Sequence, residues 1–194
     1  MATEINWNNI SEFLNLIPAK YIDVPWIVPN DIKNITYDKN DMFVLNDYSL
    51  IGSAEQGFIY FQVNDILKNK IYKTCTPCFR NEQTINDKTR QYFMKVELFL
   101  PNAIEDILLQ FVETIKIYHT ILLNKRHNFI FKEAENLLNI IKTNKGYDIL
   151  LNDIEIGSYY YNEYTYNNIN YHYICGTGIA EPRFSYALRI NYDK

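Results

Sequence analysis

Apolar and polar positions alternate along residues 91–100, with Tyr92, Met94, Val96 and Leu98 set against Phe93, Lys95, Glu97 and Phe99. A period of two over that length predicts a strand. A shorter, partly apolar run at 74–80 precedes it, and the polar stretch 81–89 lies between. Two such runs around a polar loop predict an antiparallel hairpin. The hairpin carries Arg80, Glu82, Arg90, Lys95 and Glu97. Charges of both signs on β structure suit a site for an anionic, hydrogen-bonding ligand. The plainer alternative is a solvated face with cross-strand ion pairs.

The rest of the chain patterns around that hairpin. Residues 8–17 predict a short helix with Ser11 as its N-cap and Phe13, Leu14 and Ile17 on one face. Residues 20–28 are extended, because Pro25 and Pro29 exclude helix. Residues 30–41 read as a polar loop and 43–51 as containing a strand. A helix is predicted over 56–69, with Ser53 as N-cap. The 3.6-residue recurrence of Ile104, Ile107, Leu108, Phe111, Val112, Ile115 and Tyr118 predicts a helix over 104–123. Phe131, Ala134, Leu137, Leu138 and Ile141 predict a second helix over 129–143. Strands follow at 147–156, 159–166 and 170–175, with Asn167-Asn168 as a turn. Gly176-Thr177-Gly178 is read as breaking the last strand, and 180–190 as a closing helix with Pro182 in its first turn. The sum is an α+β fold, a mostly antiparallel β-sheet flanked by helices that cover one face.

Composition narrows the function classes. At 194 residues the chain is expected to form one domain with a real core. The net charge of −4 supplies no global basic field for nucleic acid. Its 17 tyrosines and many asparagines are compatible with a compositional bias and carry no mechanism by themselves. Cys75-Thr-Pro-Cys78 has the spacing of half a metal site, but no second pair accompanies it. The plainer reading is two ordinary thiols in a reducing compartment. The N-terminus has neither a basic nor an apolar leader segment, and no apolar run has membrane-spanning length. A cytoplasmic protein without membrane association is expected.

Four segments carry the candidate chemistry. They are the extended run ending in Pro25, the turn Ser53-Ala54-Glu55, the hairpin arms Phe79-Arg80-Asn81-Glu82 and Phe93-Met94-Lys95-Val96-Glu97, and Gly176-Thr177-Gly178 leading to Arg183. In this order they resemble the catalytic core of class II aminoacyl-tRNA synthetases, over about residues 10–190. Pro25 is similar to the proline of that family's first motif. Phe79, Arg80, Glu82, Phe93 and Glu97 are similar to its second motif, F-R-x-E, loop, F-x-x-x-E. Arg183 is similar to the arginine of its third. The nearest local likeness is to the seryl branch, in Thr76-Pro77-Cys78-Phe79-Arg80, in Glu155-Ile156-Gly157-Ser158 and in Cys175-Gly176-Thr177-Gly178-Ile179-Ala180. Two features depart from the family pattern. Arg90 stands three residues before Phe93 and Lys88 five, and Glu181-Pro182 occupies the approach to Arg183 where a small residue is commoner.

The resemblance implies the following roles. Arg80 would hold the α-phosphate of ATP and the amino-acid carboxylate, and Arg183 the γ-phosphate. Phe93 would stack on adenine, with Glu82, Arg90 and Glu97 completing the nucleotide site. Ser53 and Glu55 would meet the amino acid, Glu55 through its α-ammonium group. Glu155 and Ser158 would hold Mg²⁺. The expected function is ATP- and Mg²⁺-dependent formation of an aminoacyl-adenylate, with transfer to a tRNA, a carrier protein or a small amine. The chain is expected to be a single catalytic domain over 1–194, without an anticodon-binding domain, and a homodimer through the region near Pro25. A catalytically silent paralogue that binds nucleotide, amino acid or RNA is the alternative, and an interaction domain with an inherited surface a further one.

Overall fold

A computed structural model describes residues 4–36, 42–86 and 90–190. Its centre is a seven-stranded sheet in the order β1-β5-β6-β10-β9-β8-β7. These strands are β1 (Lys20–Tyr21), β5 (Tyr72–Phe79), β6 (Tyr92–Pro101), β7 (Leu138–Lys142), β8 (Gly146–Leu151), β9 (Ile154–Tyr166) and β10 (Ile169–Glu181). The β1–β5 pair is parallel and the others are antiparallel. A small second sheet orders β2 (Ile27–Pro29), β4 (Tyr48–Leu50) and β3 (Val44–Leu45).

The alternation in 91–100 sorts two cores. Met94, Val96 and Leu98 pack into one apolar cluster with Phe13, Val112, Ile115 and Phe184. Those partners come from α1 (Trp7–Leu16), α4 (Leu108–His127) and α6 (Arg183–Arg189), and α5 (Phe131–Leu137) adds Ala134. Phe99 faces the other way, into a second cluster with Phe58 and Ile59 of α3 (Ala54–Val63) and Ile32 of α2 (Asn30–Lys33). Helices therefore lie on both faces of the sheet, where one covered face was expected. The second face is only partly covered, and the candidate site lies there.

Several boundaries moved for identifiable reasons. Helix α1 begins at Trp7, because Asn6 rather than Ser11 is its N-cap and accepts from the backbone N–H groups of Asn8 and Asn9. Its last carbonyls, of Leu14 and Ile17, accept from Lys73 Nζ at 2.7 and 2.6 Å, a cation placed at the negative helix end. The predicted loop after Pro29 starts with the single turn α2, and the strand expected in 43–51 is the hairpin β3–β4. Ser53 does cap its helix, in a capping box with Gln56, but α3 stops at Val63. A 3₁₀ turn, Glu105–Ile107, precedes α4. The second predicted helix is half wrong. It ends at Leu137, and Leu138–Lys142 pairs with β8 instead, since β-branched residues beside an open strand edge favour the ladder. The chain turns at Asn152-Asp153 rather than near Gly157, and Gly176-Thr177-Gly178 lies inside a continuous β10.

Cys75 packs against the first cluster, whereas Cys78 faces the second side of the sheet across from Phe93. Residues three apart on a regular strand face opposite ways. These two thiols therefore cannot share a metal or pair with each other, and both are free. Among the described residues no helix is long and apolar enough to cross a membrane.

Candidate active site

The second face of β6, β9 and β10, closed above by the N-terminus of α3 and at one end by α6, forms a cavity of about 240 Å³. Ser53, Arg80, Phe93, Glu97, Glu155, Ser158 and Arg183 line it together. Lys95, Tyr160, Cys175, Gly176, Thr177 and Ala180 complete the wall. Glu55 lies just behind. Glu82 and Arg90, on the loop side of the hairpin, do not line the cavity, and Lys88 lies outside the described residues.

Two β-bulges explain why residues with odd spacing meet. The β8–β9 register shifts beside Ile156, so Glu155 and Ser158 both face the cavity. The β10–β6 register shifts at Gly178, so Thr177 and Ala180 do the same. A Cβ on Gly178 would lie 2.4 Å from Phe13 Cε1, so only glycine fits that bulge against α1.

His119 of α4 fixes the same bulge. Its Nε2 lies 2.7 Å from Gly178 O and its Nδ1 3.1 Å from Ile115 O. A neutral ring donates once, and the shorter contact assigns the proton to Nε2. Burial pushes the imidazole down to about 4, opposed by the two carbonyls. A folded value below the unfolded one contributes stability that is complete above about pH 6.5 and is lost as pH falls toward 4. The contribution is at most about 3 kcal/mol. Urea unfolding of wild type and His119→Gln at pH 7 and pH 4.5 checks this. The gap between them should narrow at the lower pH, and an unchanged gap would refute the assignment.

The cations are held from below. Arg80 Nε donates to Gly52 O at 3.1 Å, and the guanidinium carbon lies 5.2 Å from the Phe93 ring centre. This holds the guanidinium over the ring. Lys95 Nζ lies 2.9 Å from Glu97 Oε1 and 3.1 Å from Ser53 Oγ. Glu97 also accepts from the Ser53 hydroxyl and the Ala54 N–H, the first amide of α3. Both side chains of the Lys95–Glu97 pair are buried. Arg183 meets Glu155 at 2.9 Å on the more open side.

Glu55 is buried, and its two oxygens accept from Tyr160 and Tyr173, each at 2.6 Å. Burial raises its carboxyl above the usual range, and the tyrosine hydroxyls pull it back. Burial, then the Glu55 charge, raises both phenols, so they remain donors. Sequence reasoning missed these two tyrosines. Nothing local marks them among 17, and only the fold brings them to Glu55. Sequence reasoning counted Lys95 only among the hairpin charges and gave it no role, although its place on the alternating face with Phe93 and Glu97 was a signal that could have found it.

Comparison with solved structures gives this architecture a context. Pyrrolysyl-tRNA synthetase from Desulfitobacterium hafniense superposes with a TM-score of 0.65 at 12% identity, covering 97% of this chain and 68% of that one. Seryl-tRNA synthetase from Pyrococcus horikoshii, solved with ATP, gives 0.61 at 18%, covering 93% and 47%. Prolyl-tRNA synthetase from Giardia lamblia, solved with prolyl-adenylate, gives 0.66 at 10%, covering 94% and 45%. The fold is that of class II aminoacyl-tRNA synthetase catalytic domains. This chain spans about half the length of the seryl and prolyl enzymes. No protein-family model matches the sequence, and no curated protein matches it either.

Proposed function

We propose that this synthetase-like domain binds ATP and an amino acid and joins them as an aminoacyl-adenylate. The observation that carries the reading is the cavity itself, where Arg80, Arg183 and Lys95 converge beside the Phe93 ring on one sheet face. Amino-acid activation builds negative charge on phosphorus oxygens, and preorganised cations in a partly dry site stabilise it. Arg80, planar and bidentate, bridges the α-phosphate and the amino-acid carboxylate. The ring of Phe93 receives adenine, and Arg183 takes the outer phosphates.

Glu155 and Ser158 fit a Mg²⁺ site of the substrate-completed kind, one carboxylate and one hydroxyl on the same wall. Among the described residues no cluster of three metal-ligating acid, histidine or cysteine side chains exists, so phosphate oxygens would supply the remaining ligands. The metal would add charge neutralisation at the phosphates. Glu55 would meet the substrate ammonium through the tyrosine pair it holds.

Exchange of labelled pyrophosphate into ATP, run with each amino acid, tests the reading. One or a few amino acids should support exchange. One observation favours a silent, ligand-binding relative: Arg183 and Glu155 are closed on each other in the cavity. ATP binding with no exchange from any amino acid would establish that second reading over the first.

The homodimer would use the outer face of the small sheet near Pro25, where Trp26, Ile27, Leu45 and Tyr48 are about half exposed. Sedimentation of wild type and Trp26→Glu checks this. Wild type should sediment as a dimer and the variant should shift toward monomer, and identical behaviour would refute the interface.

A further inference from the structure

The floor of the cavity identifies the class of amino acid, an inference that rests on the adenylate reading above. Strand register places the cavity-facing residues in rows. Phe93 lies opposite Cys78, Lys95 opposite Thr76 and Ala180, and Glu97 opposite Thr74 and Thr177. The next row is Phe99, opposite Tyr72 and Cys175, and Cys175 is in turn opposite Tyr160. With adenine on Phe93 and the phosphates at Arg80, the amino acid falls between the Glu97 row and this last one.

The last row is a wall. Phe58, Phe99 and Tyr173 form a continuous stack with ring centres 4.9 and 4.8 Å apart, and all three are fully buried. Tyr72 is buried beside them, and Tyr160 is pinned by its hydrogen bond to Glu55. Packed rings of this kind leave no volume for another side chain, and displacing them strains the core. Cys175 is the small residue of the row, and it lines the cavity. Of this row only Cys175 and Tyr160 line the cavity, so among the described residues the space at this end of the floor is the one left by the short Cys175 side chain beside Tyr160. Burial, with Glu55 and Glu97 nearby, keeps the thiol protonated, so the recess offers no anion to a cationic side chain. The Glu55 oxygens are occupied by the two tyrosines.

We infer that the amino acid activated here has a side chain no larger than that of serine or cysteine, and that Cys175 sets the limit. Stable sulfamoyl-adenosine mimics of the adenylate test this by calorimetry, without requiring turnover. The glycyl, alanyl and seryl mimics should bind roughly tenfold or more tighter than the valyl, leucyl, phenylalanyl and lysyl ones, as expected for methylenes that must displace a packed wall. In Cys175→Gly the gap between the alanyl and valyl mimics should shrink by roughly tenfold. Cys175→Ala makes the same test in a smaller step if the glycine variant does not fold. A leucyl or phenylalanyl mimic that binds wild type as tightly as the alanyl one would overturn the inference alone. So would an unchanged gap in a folded Cys175 variant. Failure of adenosine sulfamate itself to bind would overturn the nucleotide reading and this inference with it.

Discussion

Arg80→Ala is expected to lower amino-acid-dependent pyrophosphate exchange by roughly 1,000-fold or more while the protein remains folded, the range found when a charge-stabilising arginine leaves a phosphoryl-transfer site. The separation of the two effects follows from where Arg80 sits. Its fold contacts include a hydrogen bond to Gly52 O and the face of the Phe93 ring, at a half-buried position. A neutral-acceptor hydrogen bond and a half-buried cation–π contact are together worth about 1–2 kcal/mol. The same two contacts hold the guanidinium in position for chemistry, so no reorganisation is needed when charge develops on phosphorus. Arg80→Lys should recover little of the rate, because an ammonium group cannot grip two oxygens in a plane or lie flat on the ring. Exchange kinetics together with urea unfolding separates these terms. Exchange within tenfold of wild type in a folded Arg80→Ala protein would remove Arg80 from the chemistry and the proposed function with it.

The hairpin around Arg80 was legible because strand alternation is a local signal. Met94, Val96 and Leu98 turn to one core and Phe93, Lys95 and Glu97 to the site, as period two requires. The N-cap Ser53 was legible for the same reason, and the structure adds its capping-box partner Gln56 three residues on. The bulges were not. Glu155 and Ser158 share a wall because the β8–β9 register slips by one residue, and slippage is a property of two strands rather than one. The same holds for Tyr160 and Tyr173, which reach Glu55 across the sheet. Residues 138–142 kept a helical period yet pair as a strand, a case of tertiary context overriding a short pattern.

The asparagine content also acquires a structural reading. Among the described residues, every non-glycine residue in the left-handed region is Asn or Asp, including Asn46, Asn102, Asn128, Asn152, Asp153, Asn167 and Asn168, and no glycine lies there. Asn and Asp tolerate that conformation through short polar side chains. The six glycines are thereby left for close approach, as at Gly176, where a Cβ would lie 2.1 Å from the Tyr159 ring. The two Asn/Asp turns that close β8–β9 and β9–β10 set the register on which the site wall depends.

Lys95→Met is expected to cost about 3 kcal/mol of stability, and Glu97→Gln about as much, because each removes from a buried charge the opposite charge it is paired with. The Lys95 and Glu97 side chains are only 7% and 2% exposed. Glu97 retains the Ser53 hydroxyl and the first amide of α3 when Lys95 is removed, which places the cost at the low end for a broken buried pair. The double variant Lys95→Met/Glu97→Gln should lose less than the sum of the single losses, since neither charge is then stranded. Urea unfolding of the four proteins measures that coupling. Its size also decides what Lys95 does in the site. A strong coupling means Lys95 works by clamping Glu97 and hence the Ser53 turn at the start of α3, with Arg80 and Arg183 carrying the phosphates. A Lys95→Met cost below about 1 kcal/mol, the range of a solvated pair, would refute the clamp and release Lys95 to meet the ligand directly.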